Sequence, residues 1–305
     1  MNQSCDRSDS SASRKLGVNA DMRLATVAID GTTAAAVITD GGASIVARAG
    51  GGRYLDIGEM LSDGQEGIDA ASRSASEEPD LTVDECHFVR PILSPGAVFC
   101  VGLNYASHIR EMGRELPEAP TLFSKLPRSL TDPGAVIHVP AISESIDYEG
   151  ELCIVIGRSG RNISREAALD HVAGVTVIND VTLRDLQKRT LQWFAGKTLE
   201  SATPVGPIIV TLDEVGEIGS LELVVLVNGE ERQRAELSDL VFDAPALIAD
   251  ISRVVTLQPG DLIATGTPGG VGDAMDPKQY LRDGDVVEVT ISKVGTLRNT
   301  FKVDS

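Results

Sequence analysis

Short apolar runs recur along this chain, and they are rich in Val, Ile and Leu. Runs of this length, bounded by Gly, Pro, Asn and Asp, predict β-strands. A strong turn signal, Asn228-Gly229, predicts a hairpin near the end of one run. The predicted strands beyond residue 88 cover residues 97–101, 135–139, 152–156, 175–178, 208–211, 221–227, 262–265 and 286–291.

Helical patterns are fewer than strand patterns. The best case is 244–255, where apolar residues recur on one face and Asp243 is a plausible N-cap. Because strands outnumber helices and do not alternate with them regularly, we predict a β-dominated α+β fold rather than a doubly wound one. Weaker helical patterns cover residues 57–61, 105–112, 165–171 and 183–194.

Three segments differ in amino-acid composition and in the pattern of apolar residues. Residues 1–21 are rich in Ser and Asp without an apolar stretch, which predicts a disordered extension rather than a secretory signal. Residues 22–85 contain short strands with Gly turns followed by a polar stretch, which predicts a small N-terminal β-rich domain and its linker. Residues 86–305 contain the remaining strands and are predicted to form the catalytic domain.

Composition narrows the class of partner. The chain has 305 residues, 42% of them hydrophobic, which is enough for a buried core. A net charge of −18 argues against nucleic acid and membrane surfaces as partners, although a small anionic substrate is still possible. No apolar run approaches the roughly 20 residues needed to cross a bilayer. The four cysteines suggest neither a disulfide framework nor a zinc site. Without a secretory signal or a membrane-spanning run in the sequence, a cytoplasmic protein is expected.

The candidate chemistry begins with carboxylates at strand ends. Glu149 and Glu151 are two residues apart at the start of an apolar strand, so their side chains share a face. Like charges in such a place need a counter-charge, and a divalent cation can supply it. Asp180 ends a second apolar run and completes the set if the two strands are neighbours. Three carboxylates favour Mg²⁺ or Mn²⁺ over Zn²⁺, whereas solvated strand ends are the simpler alternative.

Further residues could act beside this metal. His108 and Glu111 share a face if their segment is helical, and a carboxylate beside an imidazole suits a general base. Lys125 and Lys197 could bind a substrate carboxylate or stabilise an oxyanion. A solvated side chain is the simpler interpretation of each lysine, more so for Lys125. The Gly-rich loop that carries Thr267 could offer N–H groups and a hydroxyl to a carboxylate, or be a plain hairpin turn.

Taken in order, these motifs resemble the fumarylacetoacetate hydrolase family over residues 97–303. The segments that carry the resemblance are Val101-Gly102-Leu103-Asn104-Tyr105 with His108 and Glu111, Phe123-Ser124-Lys125, Asp147-Tyr148-Glu149-Gly150-Glu151-Leu152, Asn179-Asp180-Val181-Thr182-Leu183-Arg184-Asp185-Leu186-Gln187, Lys197, Pro204-Val205-Gly206-Pro207, Asn228-Gly229, and the Gly-rich stretch 260–272. One departure from the family is Lys197-Thr198-Leu199-Glu200, which leaves the identity of the substrate open.

The resemblance implies a fold, a set of roles and an assembly. The fold would be the family's mixed β-roll, usually found in a homodimer. Glu149, Glu151 and Asp180 would hold Mg²⁺ or Mn²⁺, and His108 with Glu111 would be the catalytic dyad on a lid. The residues that would contact a small anionic oxo acid are Lys197, Arg184, Gln187, Thr267, Lys125 and Tyr105.

Hydrolysis of a 2,4-dioxo acid is the reaction we expect first. His108, supported by Glu111, would activate a water that attacks the C4 carbonyl. The C3–C4 bond would then break to give pyruvate enolate and a carboxylic acid, with Lys197 stabilising the charge. The alternatives are decarboxylation of oxaloacetate or isomerisation of a hydroxydienoate at the same metal, and, in another class, a non-catalytic metal-binding module. The loops 111–120 and 273–280 are expected to choose the substrate.

Overall fold

A computed structural model describes residues 22–111 and 113–304; the predicted disordered extension, residues 1–21, lies outside the described residues. Their strands are β1 (Arg23–Ile29), β2 (Thr32–Thr39), β3 (Gly42–Ile45), β4 (His87–Val89), β5 (Val98–Gly102), β6 (Thr121–Lys125), β7 (Leu130–Thr131), β8 (Val136–Val139), β9 (Ile146–Asp147), β10 (Gly150–Ile156), β11 (Val172–Asn179), β12 (Thr182–Leu183), β13 (Thr203–Pro204), β14 (Ile208–Val210), β15 (Glu222–Val227), β16 (Glu230–Glu236), β17 (Leu262–Ala264), β18 (Val286–Ile291) and β19 (Gly295–Val303).

The helices are short. The α-helices are α1 (Ile57–Ser62), α2 (Gln65–Ser74), α3 (Ala106–Glu111), α4 (Arg184–Lys188), α5 (Phe194–Lys197), α6 (Leu212–Val215) and α7 (Ala244–Val254). Single 3-10 turns cover Val83–Glu85, Pro127–Ser129, Ala168–His171, Ile218–Ser220, Leu237–Asp239 and Gly272–Ala274. Helix α7 confirms the predicted N-cap, because the Asp243 carboxylate accepts a hydrogen bond from the Ala246 N–H at 2.9 Å.

A ten-stranded sheet forms the centre of the molecule. Its main path runs β3-β2-β1-β14-β11-β10-β17-β5-β6, and β4 pairs with β1. Strands β10 and β11 are fully buried along their length, as expected for central strands covered on both faces. Strand β1 pairs with β14, so the strands of the segment 22–85 continue the sheet of the later segment. The predicted domain boundary near residue 85 stays a prediction.

A second sheet covers one face of the first. It has five strands in the order β16-β15-β18-β19-β8, and β15 and β18 alternate buried and half-buried positions. The buried face packs against β10 and β11 in the largest hydrophobic cluster. The sheets approach closely at Gly150, where a Cβ would lie only 2.4 Å from Val225 Cγ2. The β-dominated α+β fold is therefore confirmed.

The pairing of β10 with β11 places the candidate ligands. The strands are antiparallel with Gly150 opposite Asn179, so Glu149, before β10, lies beside Asp180, after β11. The Asp180 N–H donates a hydrogen bond to the Glu149 carbonyl at 2.8 Å, which holds the two residues together. In the part of the chain that the structure describes, no helix is long and apolar enough to cross a membrane.

Candidate active site

The three predicted metal ligands converge. Glu149, Glu151 and Asp180 are all buried, and each offers a carboxylate oxygen within 4.8 Å of those of the other two. Glu149 comes directly before β10, Glu151 lies on it, and Asp180 follows β11. The prediction that these side chains share one place is therefore confirmed, and the interpretation as solvated strand ends is wrong.

Buried cations surround this carboxylate group. Lys197 Nζ lies 2.6 Å from Glu149 Oε2 and 2.7 Å from Asp180 Oδ2. Lys125 Nζ lies 2.8 Å from Asp180 Oδ1, and it also donates hydrogen bonds to the Val181 and Lys197 carbonyls. Both lysines are almost fully buried, so their interpretation as solvated side chains is wrong. The error has a physical cause. Lys125 on β6 and Asp180 after β11 are distant in sequence, and only the tertiary structure brings them together.

Arg184 connects the metal ligands to a fourth carboxylate. Its Nε lies 2.7 Å from Asp147 Oδ2, its Nη2 lies 2.7 Å from Glu149 Oε1, and its Nη1 donates to Gln187 Oε1 at 3.0 Å. Asp147 also accepts hydrogen bonds from the Gly272 and Asp273 N–H groups at 2.7 and 3.0 Å. Arg184 is thus fixed by a planar fork of contacts that a lysine could not reproduce.

The pKa shifts in this group diverge. Burial, together with the nearby charges of Asp180 and Glu149, raises the pKa of Glu151 well above its ordinary value. Burial also disfavours the charged form of Asp180, but the charges of Lys125 and Lys197 outweigh it and lower the pKa of Asp180. Burial and neighbouring charge therefore favour the protonated form of Glu151 when no metal is bound.

The charge balance of the buried group fits a divalent cation. Four carboxylates (those of Asp147, Glu149, Glu151 and Asp180) contact or face three cations (Lys125, Arg184 and Lys197). A proton on Glu151 makes the group neutral, whereas a bound divalent ion with all four carboxylates ionised leaves one positive charge. Asp180 Oδ1 is ion-paired with Lys125 Nζ at 2.8 Å, although this contact is not aligned as a hydrogen bond. The all-oxygen donor set suits Mg²⁺ or Mn²⁺.

The Gly-rich loop after β17 uses its N–H groups on protein carboxylates. The Gly266 N–H donates to Glu151 Oε2 at 2.7 Å, and two N–H groups further along the loop bind Asp147. The Thr267 hydroxyl donates to the Gly150 carbonyl and accepts from Gln233 Nε2, both at 2.9 Å. The loop therefore orients the carboxylate group, which is more than the plain hairpin turn considered from sequence.

A cavity of about 460 Å³ opens on this group. Glu149 and Lys197 line its inner end, and the half-buried His108 lines it as well. The other predicted substrate-binding residues in its wall are Arg184, Gln187 and Thr267. The arrangement combines a buried carboxylate group, fixed cations and an imidazole around one space that a small anion can enter.

Two predicted substrate contacts are absent from this wall, and one predicted catalytic residue has no described side chain. Among the described residues that line the cavity, Tyr105 and Lys125 do not appear; Tyr105 is fully buried, and Lys125 contacts the far side of Asp180. Their prediction as direct substrate contacts is not supported by this placement. Glu111 ends α3, but its side chain lies outside the described part of the chain, so the predicted dyad with His108 stays a prediction.

Sequence reasoning missed four residues that shape the site. Asp147 lies in the acidic motif that carries the metal ligands, and its extra carboxylate was a usable signal. Gln233 lies among polar residues, yet it is buried and accepts from the Gly150 N–H at 3.1 Å. Arg114 and Trp193 line the cavity from loops, where no periodic pattern marks a position as functional.

Comparison with known proteins defines the class. Residues 97–302 match the family described as fumarylacetoacetate (FAA) hydrolase, C-terminal. The chain belongs to the fumarylacetoacetate hydrolase family. It is 44% identical over 222 residues to oxaloacetate tautomerase YisK of Bacillus subtilis (strain 168), which covers 72% of this chain and 74% of that protein.

Solved structures agree with the fold. A fumarylacetoacetate hydrolase from Exiguobacterium antarcticum is 37% identical, with a TM-score of 0.78 over 93% of this chain and all of that one. A 2-hydroxyhepta-2,4-diene-1,7-dioate isomerase from Mycobacterium marinum is 32% identical, with a TM-score of 0.74 over 93% of this chain and 99% of that one. These relatives carry the names of three different reactions, so membership in the family does not by itself choose one.

Proposed function

We propose that this chain is a divalent-metal-dependent enzyme that interconverts the enol and keto forms of a small 2-oxo dicarboxylic acid of the oxaloacetate type. The observation that carries the proposal is the buried group of Glu149, Glu151 and Asp180, whose member Glu149 lines a cavity that His108 also lines. The 44% identity to a protein named oxaloacetate tautomerase supports this reaction over the hydrolysis expected first from sequence.

The reaction moves one proton and breaks no carbon–carbon bond. In going from keto to enol, C3 loses a proton and the 2-oxygen gains one. A divalent cation held by Glu149, Glu151 and Asp180 would supply Lewis-acid stabilisation of the negative charge that develops on the oxo-acid end. The site needs, in addition, a group that exchanges protons and cations that hold the carboxylates of the substrate.

The residues of this chain divide these tasks. Burial opposes the charge on Lys197 and Arg184, but their carboxylate partners outweigh it and raise the pKa of each above its ordinary value. Both side chains therefore stay cationic and act as fixed positive charges rather than as bases. His108 lines the cavity, and histidine is the side chain most often used for proton transfer, so we assign to it the transfer at C3.

Hydrolysis of a 2,4-dioxo acid is the second candidate. It is favoured by the 37% identity to a protein named fumarylacetoacetate hydrolase and by the same His108, which could activate a water instead of C3. Decarboxylation of oxaloacetate is the third reaction that this site supports. The three reactions give different products, so one set of assays separates them.

The decisive experiment follows enol absorbance of oxaloacetate in the ultraviolet, with Mg²⁺ or Mn²⁺ and with EDTA. We expect metal-dependent acceleration of tautomerisation, with pyruvate release followed in parallel by a coupled dehydrogenase. His108→Ala should slow tautomerisation by about 10²-fold or more, because a positioned acid–base group contributes that much. His138→Ala is the matched control, since His138 is exposed on β8 and outside the cavity wall.

Pyruvate release that matches enol loss would replace the proposal by decarboxylation. Rapid cleavage of an acylpyruvate, with no effect on oxaloacetate, would replace it by hydrolysis. Metal binding without turnover of any of these acids would favour the non-catalytic module. The choice between Mg²⁺ and Mn²⁺, the homodimer and the cytoplasmic location stay predictions.

A further inference from the structure

The active-site cavity has one cationic side chain that differs from the others. Four cations line it: Arg184 and Lys197 are held by buried carboxylates, and Lys188 pairs with Asp273. Among the described side chains, which exclude that of Glu111, the guanidinium of Arg114 has no ion pair or hydrogen bond. It therefore offers a positive charge that no described carboxylate neutralises.

Arg114 is attached to the helix that carries His108. The Gly113 N–H donates to the Arg110 carbonyl at 2.9 Å, and the Arg114 N–H donates to the Ile109 carbonyl at 3.1 Å. This pair of hydrogen bonds is the Schellman motif, which ends a helix in a defined turn. The turn connects Arg114 directly to the end of α3, so Arg114 and His108 reach the same cavity from one continuous segment.

Trp193 contributes an aromatic wall to the same cavity. Its ring meets Phe123 edge-on, with 5.3 Å between the ring centroids. It also packs on the bare backbone of Gly102, where a Cβ would lie 2.4 Å from the Trp193 ring. Trp193 is the one tryptophan of the sequence, so the intrinsic fluorescence of the protein reports directly on this cavity.

We infer that Arg114 binds the second carboxylate of the substrate, remote from the 2-oxo acid end, and so selects dicarboxylic over monocarboxylic 2-oxo acids. The inference rests on the proposed function for the position of the oxo-acid end. The oxo-acid end of the substrate binds at the inner end of the cavity, beside the metal ligands and Arg184. A second carboxylate then lies toward the mouth, where Arg114 is the cation still available for a charge-assisted hydrogen bond.

The test compares binding of two inert anions by Trp193 fluorescence in the presence of Mg²⁺. Oxalate reproduces the chelating end alone. 3,3-Difluoro-oxaloacetate carries both carboxylates and cannot enolise, because C3 has no hydrogen. We expect Arg114→Gln to weaken binding of the diacid by about 10-fold, as for loss of one charge-assisted hydrogen bond, and to change oxalate binding less than about twofold.

Arg110→Gln is the matched control, because Arg110 is exposed on the same helix and outside the cavity wall; it should leave both affinities within about twofold. Unchanged diacid binding in Arg114→Gln, or an equal loss for both anions, would overturn the inference. The proposed reaction fails separately: Arg114-dependent binding of the diacid with no acceleration of oxaloacetate tautomerisation would keep the subsite and reject the tautomerase.

Discussion

The inner end and the mouth of the cavity are built differently. At the inner end the carboxylates lie at the ends of central strands, and each buried cation (Lys125, Arg184 and Lys197) contacts at least one of them. At the mouth the side chains come from short helices and loops, and Leu191 is 97% exposed. The comparison indicates that sheet register sets the chemistry, whereas connecting segments set what the site accepts.

The two ends also differ in how much each contact matters. Removing one partner of a buried ion pair leaves an uncompensated charge and costs about 3–5 kcal/mol. An exposed pair is screened by water and contributes about 0–1 kcal/mol. Substitutions at the inner end should therefore affect stability and metal binding strongly, and those at the mouth should change selectivity while leaving the fold intact.

The largest effect should come from a metal ligand. Asp180→Asn removes a ligand charge while keeping the shape of the side chain, and we expect loss of measurable Mn²⁺ binding and about 10³-fold lower activity, because several kcal/mol of charge stabilisation disappear. Calorimetric Mn²⁺ titration and the tautomerase assay check this. Retention of both properties would show that the inner end is not a metal site.

Lys197→Met should have the next largest effect, and it should depend on metal. Without metal, Glu149 and Asp180 lose their shared cation, and the free energy of unfolding should fall by about 3 kcal/mol. Added Mg²⁺ or Mn²⁺ should restore part of this loss by replacing the missing charge. Urea unfolding with EDTA and with metal measures both values; an equal loss in the two conditions would separate Lys197 from the metal site.

A smaller effect concerns pH. The raised pKa of Glu151 means that the folded chain binds a proton that the unfolded chain releases above the ordinary value of 4.5. The metal-free protein should therefore lose stability as pH rises from 4.5 toward the raised pKa, and Glu151→Gln should reduce this slope. Urea unfolding in EDTA across this range tests the sign. An unchanged slope in the variant would assign the dependence to another group.

The smallest effect is expected at the mouth. Lys188→Gln breaks a half-exposed pair with Asp273, which also contacts Lys278 and Tyr280. The free energy of unfolding should change by less than about 1 kcal/mol, and Mn²⁺ affinity should not change. A loss as large as that in Lys197→Met would contradict the distinction between the two ends.

Several features of the molecule followed from local pattern. The central strands were predicted from apolar runs, and the N-cap of α7 from Asp243 and the apolar face behind it. The hairpin at Asn228-Gly229 was predicted and is confirmed, but the extent of its second strand, β16, was not, because six of its seven residues are polar. The long pattern at 183–194 divides into two short helices with an irregular segment between them. In each miss, tertiary burial overrode what the local sequence favours.

The sequence by itself determined the class of the site. Two glutamates on one strand face and an aspartate at the end of another run specify hard oxygen ligands, because residue type and strand periodicity are local properties. Only the tertiary structure decided that Lys125 is buried, that Asp147 holds Arg184, and that Arg114 and Trp193 face the same cavity. Those contacts join residues distant in sequence, and their energies depend on burial, which no local pattern encodes.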